Sequence, residues 1–299
     1  MIKAVDLVKN FDTKAALDGV NFEIEEGSIY GLVGANGSGK STLLRVIAGV
    51  YMPDSGNIIV DNMKVFNNPP LKEKICYLPD TPFFLHQSNL NEMAKLYEGL
   101  YSSFSREHYE YLTGVFPLDK KAKIANMSKG MQRQAALILA LSCCPKYLLL
   151  DEAFDGLDPV MRKVLKSLLI EGIDGGGMTA IIASHNLREL EELCDKVGLI
   201  HSGKILFNDS IDSLKGNLHK VQIAFERVPD TSVFDSLDVL KIERSGSLIT
   251  MIVRGDEDEI MAYINRLSPI FSECIEPTLE EMFVYELGVT GYDSKSIIS

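Results

Sequence analysis

The 299-residue chain is short of positive charge: 30 Lys and Arg face 42 Asp and Glu, for a net charge of −12. That shortage disfavours nucleic acid as the main partner, because a phosphate backbone is neutralised by a basic face. Paired cysteines are missing as well. The five Cys, at 76, 143, 144, 194 and 274, are odd in number and form no C-x-x-C. They are expected as reduced, mostly buried thiols rather than as a disulfide frame or a zinc site. The opening Met-Ile-Lys-Ala-Val-Asp has no apolar leader core, so no signal peptide is expected. The most apolar stretch, Ala135 to Leu150, is interrupted by Pro145-Lys146 and is too short to span a bilayer. Any membrane role is therefore expected through a partner, without direct membrane insertion. Internal repeats and low-complexity segments are also lacking. What remains is an ordinary globular composition, 46% apolar, with length for one main domain and a smaller one.

Against that background one stretch stands out, Gly34-Ala-Asn36-Gly37-Ser38-Gly39-Lys40-Ser41-Thr42. It fits the P-loop pattern of Gly, four residues, then Gly-Lys-Ser. The apolar run Ile29 to Val33 leads in as a buried strand, and Thr42 to Ala48 leads out as a helix. Three glycines let the backbone curl so that successive N–H groups point at a polyphosphate. The helix starting at Gly39 adds its positive dipole end. Lys40 supplies a full charge for the β- and γ-phosphates, and the Ser41 hydroxyl a ligand for Mg²⁺. The chain is expected to bind a nucleoside triphosphate.

Strands alternating with helices around this loop indicate an α/β core with a mainly parallel sheet. Residues up to about 30 alternate like strands, as in Val20-Asn-Phe22-Glu-Ile24. Asn57 to Val60 and Lys74 to Pro79 read as further strands. Residues 89 to about 142 lack strand alternation and read as helix with one break near Pro117-Leu-Asp119, an insertion into the core. Strands return at Tyr147 to Leu150 and Thr179 to Ala183, followed by a hairpin across His201-Ser-Gly203. The helix between them, near Asp158 to Ile170, is expected to end in the breaker Gly175-Gly-Gly177. From about 216 the character changes to a small α+β module. It has strands at Lys220–Phe225, Val239–Ile242 and Leu248–Val253, a helix over Asp256–Leu267 and a second helix through Leu279–Leu287, then a frayed tail after Gly288. Residues 211–299 carry 8 Lys or Arg against 16 Asp or Glu. Such an acidic module reads as a protein-contact or regulatory appendage, or simply as a solvated surface.

Tyr147-Leu-Leu-Leu150 runs into Asp151-Glu152, so a buried strand delivers two adjacent carboxylates at its C-terminal end, where α/β sheets place ligand chemistry. Side chains alternate along a strand, so the two must differ in role. Asp151 suits the surroundings of Mg²⁺, and Glu152 can polarise the water that attacks the γ-phosphate.

The segment Asp151-Glu-Ala-Phe-Asp-Gly-Leu-Asp-Pro159 resembles the Walker B and D-loop of an ATP-binding-cassette (ABC) ATPase. Met127-Ser-Lys-Gly-Met-Gln132 resembles that family's signature, Leu-Ser-Gly-Gly-Gln, and Ile181-Ile-Ala-Ser-His185 matches its switch histidine. Phe11 stands where the family has an aromatic residue against adenine. The resemblance covers about residues 1–215. It implies a P-loop NTPase core with an N-terminal antiparallel β-subdomain and an inserted helical subdomain at about 85–142; the C-terminal α+β module at 216–299 lies outside it. It further implies that Phe11 stacks on adenine, although Phe11 also reads as a core residue of the first strand. His185 would contact the γ-phosphate or the lytic water. Ser128 and the Gly130 N–H would face ATP held by a second chain, giving a head-to-tail dimer, identical or mixed, with Asp158 near the interface.

Three departures from the family pattern matter. Lys129 replaces the first signature Gly and Met131 the terminal Gln, while Asp80 stands for the family's metal-linking Gln, with Gln87 the other candidate. An Asp can still accept from a metal-bound water but cannot donate. The resemblance implies an ATPase subunit of an exporter-like transporter, cytoplasmic and peripheral on the inner face of the cell membrane, working with separate permease subunits. The alternatives are a regulatory cassette of low turnover and a non-transport ABC ATPase.

Overall fold

The computed structural model describes residues 1–215 and 218–283. By contacts the chain divides into two compact units, Met1–Asn208 and Asp209–Ser299, a division ahead of the expected 215/216 boundary.

In the first unit the alternating N-terminal sequence makes a four-stranded antiparallel sheet. Lys14–Ile24 pairs with Ile2–Phe11, which pairs in turn with Ser55–Val60, and Met63–Lys64 closes the edge. The inward residues Ile2, Leu7, Leu17, Val20, Phe22 and Ile24 are buried. A register shift lets residue 56 approach the partner strand so closely that a Cβ would lie 2.1 Å from the Asp6 carbonyl oxygen, and its φ is +72°. Only glycine fits at Gly56.

The second sheet has six strands in the order Lys204–Ser210, Lys196–His201, Ile29–Val33, Thr179–Ser184, Tyr147–Asp151, Ile75–Leu78. The pairs from Lys196–His201 to Ile75–Leu78 are parallel. The three central strands are buried at every residue, as expected for a parallel sheet covered on both faces. The P-loop strand Ile29–Val33 thus sits mid-sheet, and its helix Lys40–Ile47 packs on Tyr147–Asp151 and Thr179–Ser184. The two functional segments, 110 residues apart in sequence, therefore end side by side.

The insertion is helical, but with two breaks rather than one. Helices run over Leu90–Leu100, Arg106–Val115 and Lys129–Ser142. Asn89 opens the first with a reciprocal capping box to Glu92, and Ser105 caps the second, so the chain restarts at 105 as well as after Pro117. The helix expected near Asp158–Ile170 runs further, over Pro159–Gly176, and stops at Gly177 in the left-handed conformation at φ +64°. The intervening glycines are tolerated within its last turn; only Gly177 ends it.

The second unit is a four-stranded antiparallel sheet in the order Asp238–Ser245, Leu248–Arg254, Leu218–Ala224, Phe271–Ile275. Helix Glu257–Arg266, capped by Asp256, contributes Ile260 and Ile264 to a core with Val221, Ile223, Met251 and Val253. The strand Phe271–Ile275 was not expected from sequence. Leu279–Phe283 is helical, whereas Val284–Leu287 and the tail after Gly288 lie outside the described residues. Among the described residues no helix is long and apolar enough to cross a membrane.

Candidate active site

Backbone constraint comes first. A Cβ at Gly34 would lie 2.3 Å from the Ile200 carbonyl oxygen, and Gly37 and Gly39 have φ of +79° and +120°. No side chain caps the helix that starts at Lys40, so its first N–H groups are left to the concave side of the loop. The hairpin turn Ser202–Gly203 braces the loop, with the Gly203 N–H donating to Ser38 O at 2.8 Å.

Lys40 is 5% exposed. Its ammonium donates to Gly34 O at 2.5 Å and Ala35 O at 3.3 Å, and lies 3.3 Å from Glu152 Oε1. The Ser41 hydroxyl donates to Asp151 Oδ1 at 3.0 Å, and Tyr77 OH donates to Asp151 Oδ2 at 3.1 Å. Burial pushes the Asp151 carboxyl up from the ordinary carboxylate range, and the Ser41 and Tyr77 hydrogen bonds oppose that rise. Glu152 follows with φ +49°, a strained backbone for a non-glycine residue, and its N–H donates to Ala183 O at 2.9 Å. That twist aims Glu152 Oε2 at the exposed His185 ring, 2.9 Å from Nδ1. Ser38 Oγ is buried without a hydrogen-bond partner.

Lys40, Ser41 and Glu152 border a cavity of about 450 Å³, in the range of small-molecule sites, while Gly34, Ser38, Asp151 and His185 lie outside its lining. Asn36, Gly37, Gly39, Lys40, Ser41, Thr42, Glu152, Asp80 and Phe11 line it. Gln87 does not. Phe11 ends its strand 41% exposed, its ring edge-on to Tyr51 at 5.3 Å, so it is an open face and not a core residue. Phe11→Ala is expected to weaken ATP binding by about 1–3 kcal/mol, roughly 5- to 150-fold, with fold stability unchanged; equilibrium titration with a fluorescent ATP analogue measures it.

Ser128, Gly130 and Asp158 lie outside the cavity lining. Ser128 caps the helix Lys129–Ser142, its side chain accepting from the Met131 N–H at 3.3 Å. Gly130 passes so close to the loop that follows Asp151-Glu152 that a Cβ would lie 2.7 Å from Gly156 O. Asp158 accepts from the Val160 and Met161 N–H groups at 2.9 and 3.0 Å as the cap of its own helix. Lys129 is exposed.

Several residues of the site were missed from sequence. Tyr77 steadies Asp151. The nearly buried Arg133, on the signature helix, holds Asp80 Oδ1 at 3.1 Å and donates to Pro79 O at 3.0 Å. Lys14, Ala15, Ala16, Ser202 and Gly203 complete the cavity. Arg133 lies two residues after Met131, Tyr77 three before Asp80, and Lys14, Ala15 and Ala16 just after Phe11, on the neighbouring strand; only Ser202–Gly203 comes from a remote turn.

A family profile described as ABC transporter matches residues 17–155. The chain is 31% identical to the lantibiotic transport ATP-binding protein SrtF of Streptococcus pyogenes over 76% of its own length and 99% of that protein's. It is 27% identical to the ABC transporter ATP-binding protein YtrB of Bacillus subtilis (strain 168) over 96% of this chain and 98% of that one. The solved ATP binding subunit of an ABC transporter superposes with a TM-score of 0.67 at 26% identity, covering 72% of this chain and 92% of that chain. The match to YtrB extends through the second unit.

Proposed function

The chain belongs to the ABC transporter family as its ATP-binding, ATP-hydrolysing subunit, and on that premise we propose how its own residues carry the cycle. The observation that carries the proposal is that Lys40, Ser41 and Glu152 line one cavity, with Asp151 bonded to Ser41 and His185 to Glu152 behind them. Phe11 stacks on adenine, and the N–H groups of the loop and Lys40 hold the phosphates. Glu152 takes the proton of the attacking water while His185 holds Glu152 in place and meets the γ-phosphate. Magnesium would neutralise charge on the phosphates. Adjoining hard oxygens and the desolvated Asp151 carboxylate fit such an ion, with Ser41 and Asp151 as the residues that would hold it. Asp80 would sense its outer surroundings, and the Arg133 pair ties that loop to the signature helix.

The first unit is the nucleotide-binding domain, its inserted helices the docking face for separate membrane permease subunits. The second unit is an accessory module. The chain works peripherally on the inner face of the membrane, and an exporter-type assembly agrees with the lantibiotic transport named for SrtF. Ser128 and Gly130, which lie outside their own chain's cavity, are assigned to the nucleotide of a second cassette, the role the family resemblance implies for them. The test is light scattering on Glu152→Gln with ATP: a doubling of mass on nucleotide addition is expected, and a mass that stays monomeric at all concentrations overturns the shared-site arrangement. Asp158 separates two roles in that assay. Asp158→Ala should cost about 1 kcal/mol of stability through the lost cap, read as a lower Tm. Asp158→Ser keeps the cap, so any remaining loss of ATP-driven dimer belongs to the interface.

A further inference from the structure

Two groups of potential metal ligands gather among the described residues. Glu152, Asp155 and His185 belong to the site already described. The other group lies wholly in the second unit and joins His219, Glu257 and Cys274, whose ligand atoms all lie within 4.8 Å of one another. Three elements bring them together: the strand Leu218–Ala224, the first turn of helix Glu257–Arg266 and the strand Phe271–Ile275. His219 shares the core-facing side of its strand with Val221 and Ile223, at the end where the helix begins.

The imidazole is already oriented. Its Nε2 lies 3.1 Å from the carbonyl oxygen of Gly255, which can only accept, so Nε2 carries the hydrogen. Nδ1 is then left with its lone pair, and Cys274 Sγ lies 3.7 Å from it. Metal-bound histidines are held in this way, the far N–H given to a backbone carbonyl. Gly255 supplies that carbonyl from φ +144°, a conformation L side chains rarely adopt. The spacing also fits. Bonds of about 2.3 Å to sulfur and 2.0–2.1 Å to nitrogen at a tetrahedral angle separate the two donors by about 3.5 Å.

We propose that His219 Nδ1, Cys274 Sγ and Glu257 form a three-ligand site for a zinc-class divalent ion, with one coordination position open. A thiolate, an imidazole and a carboxylate together select a borderline ion over Mg²⁺ or Ca²⁺. The chain has no cysteine pair at zinc-binding spacing; here one Cys meets ligands 17 and 55 residues away in sequence. Binding would clamp both strands to the helix. Without an ion the thiol keeps its proton, burial and Glu257 pushing it up to about 11, and the ion must displace that proton.

Cobalt(II) is the probe, added to the reduced, nucleotide-free full chain. One equivalent per chain should produce a thiolate-to-cobalt charge-transfer band. That band should vanish in Cys274→Ser and in His219→Ala and persist in Cys144→Ser, whose Sγ lies beside another histidine, His108, at 3.5 Å. Should the variants fail to fold, the wild type still decides: one equivalent of Zn²⁺ should slow alkylation of Cys274, followed by peptide mass, at least about tenfold. No band at one equivalent, a band that survives Cys274→Ser, or an unchanged alkylation rate at Cys274 overturns the proposal.

Discussion

Replacing Glu152 by Gln is expected to lower ATP turnover by about 10²–10⁴-fold, with ATP affinity undiminished. The size follows from what the substitution keeps. Gln has the length to reach the His185 N–H, which Glu152 Oε2 now meets at 3.3 Å, and the strained φ of +49° is set by the strand end rather than by the carboxylate. Shape and position persist; only the ability to take a proton goes. Removing the charge also releases Lys40 from its 3.3 Å ion pair, so phosphate binding has no reason to weaken. Steady-state rate and equilibrium ATP titration, run on the same preparation, check both halves. A variant that turns over at the parent rate would move the proton acceptor elsewhere.

Lys40→Ala should do the reverse, losing binding together with rate. A positioned charge on developing negative oxygen is worth roughly 10²–10³-fold in turnover when one such donor is removed. The same substitution has a cost without nucleotide. Glu152 keeps its place beside a missing ammonium, and one carboxylate oxygen with no hydrogen-bond donor is left buried. Stranding a buried charge costs about 3 kcal/mol. The Gly34 and Ala35 carbonyls also lose their donor. Denaturant unfolding of the nucleotide-free protein should therefore show Lys40→Ala clearly below wild type. The double variant Lys40→Ala with Glu152→Gln should recover part of that loss while remaining inactive. Equal stability of the single and double variants would mean the ion pair carries none of the fold.

What was legible in the sequence was what is local in sequence. The P-loop can be read because its glycines, Lys40 and Ser41 act within one turn of chain, and Asp151-Glu152 because a buried strand must end where they stand. The alternation of Val20, Phe22 and Ile24 gave the first sheet, since one of its faces is buried. Other features have no local signature. Tyr77 meets Asp151 across neighbouring strands, and Arg133 reaches Asp80 from the insertion. The Ser202–Gly203 turn supports the P-loop from far along the chain, its Gly203 N–H bonding Ser38 O 165 residues away. The strand Phe271–Ile275 was missed because its pattern is inverted: Phe271 and Ile275 are exposed while Ser272 and Cys274 turn inward. Pairing with Leu218–Ala224, not hydrophobic alternation, makes it a strand. The extra break near Ser105 has a local mark, the Ser105 side chain capping the next helix, but one cap alone does not distinguish a break from a continuous helix.

If Lys40, Ser41–Asp151 and Glu152–His185 form a working ATPase completed by a second cassette, its turnover must depend on protein concentration. The measurement to make is steady-state ATPase rate against protein concentration, wild type beside Glu152→Gln. Specific activity that rises with concentration to a plateau, with the variant near zero throughout, is the predicted result. Wild-type protein that binds ATP yet turns over no faster than Glu152→Gln at any concentration would contradict it and identify a regulatory cassette instead.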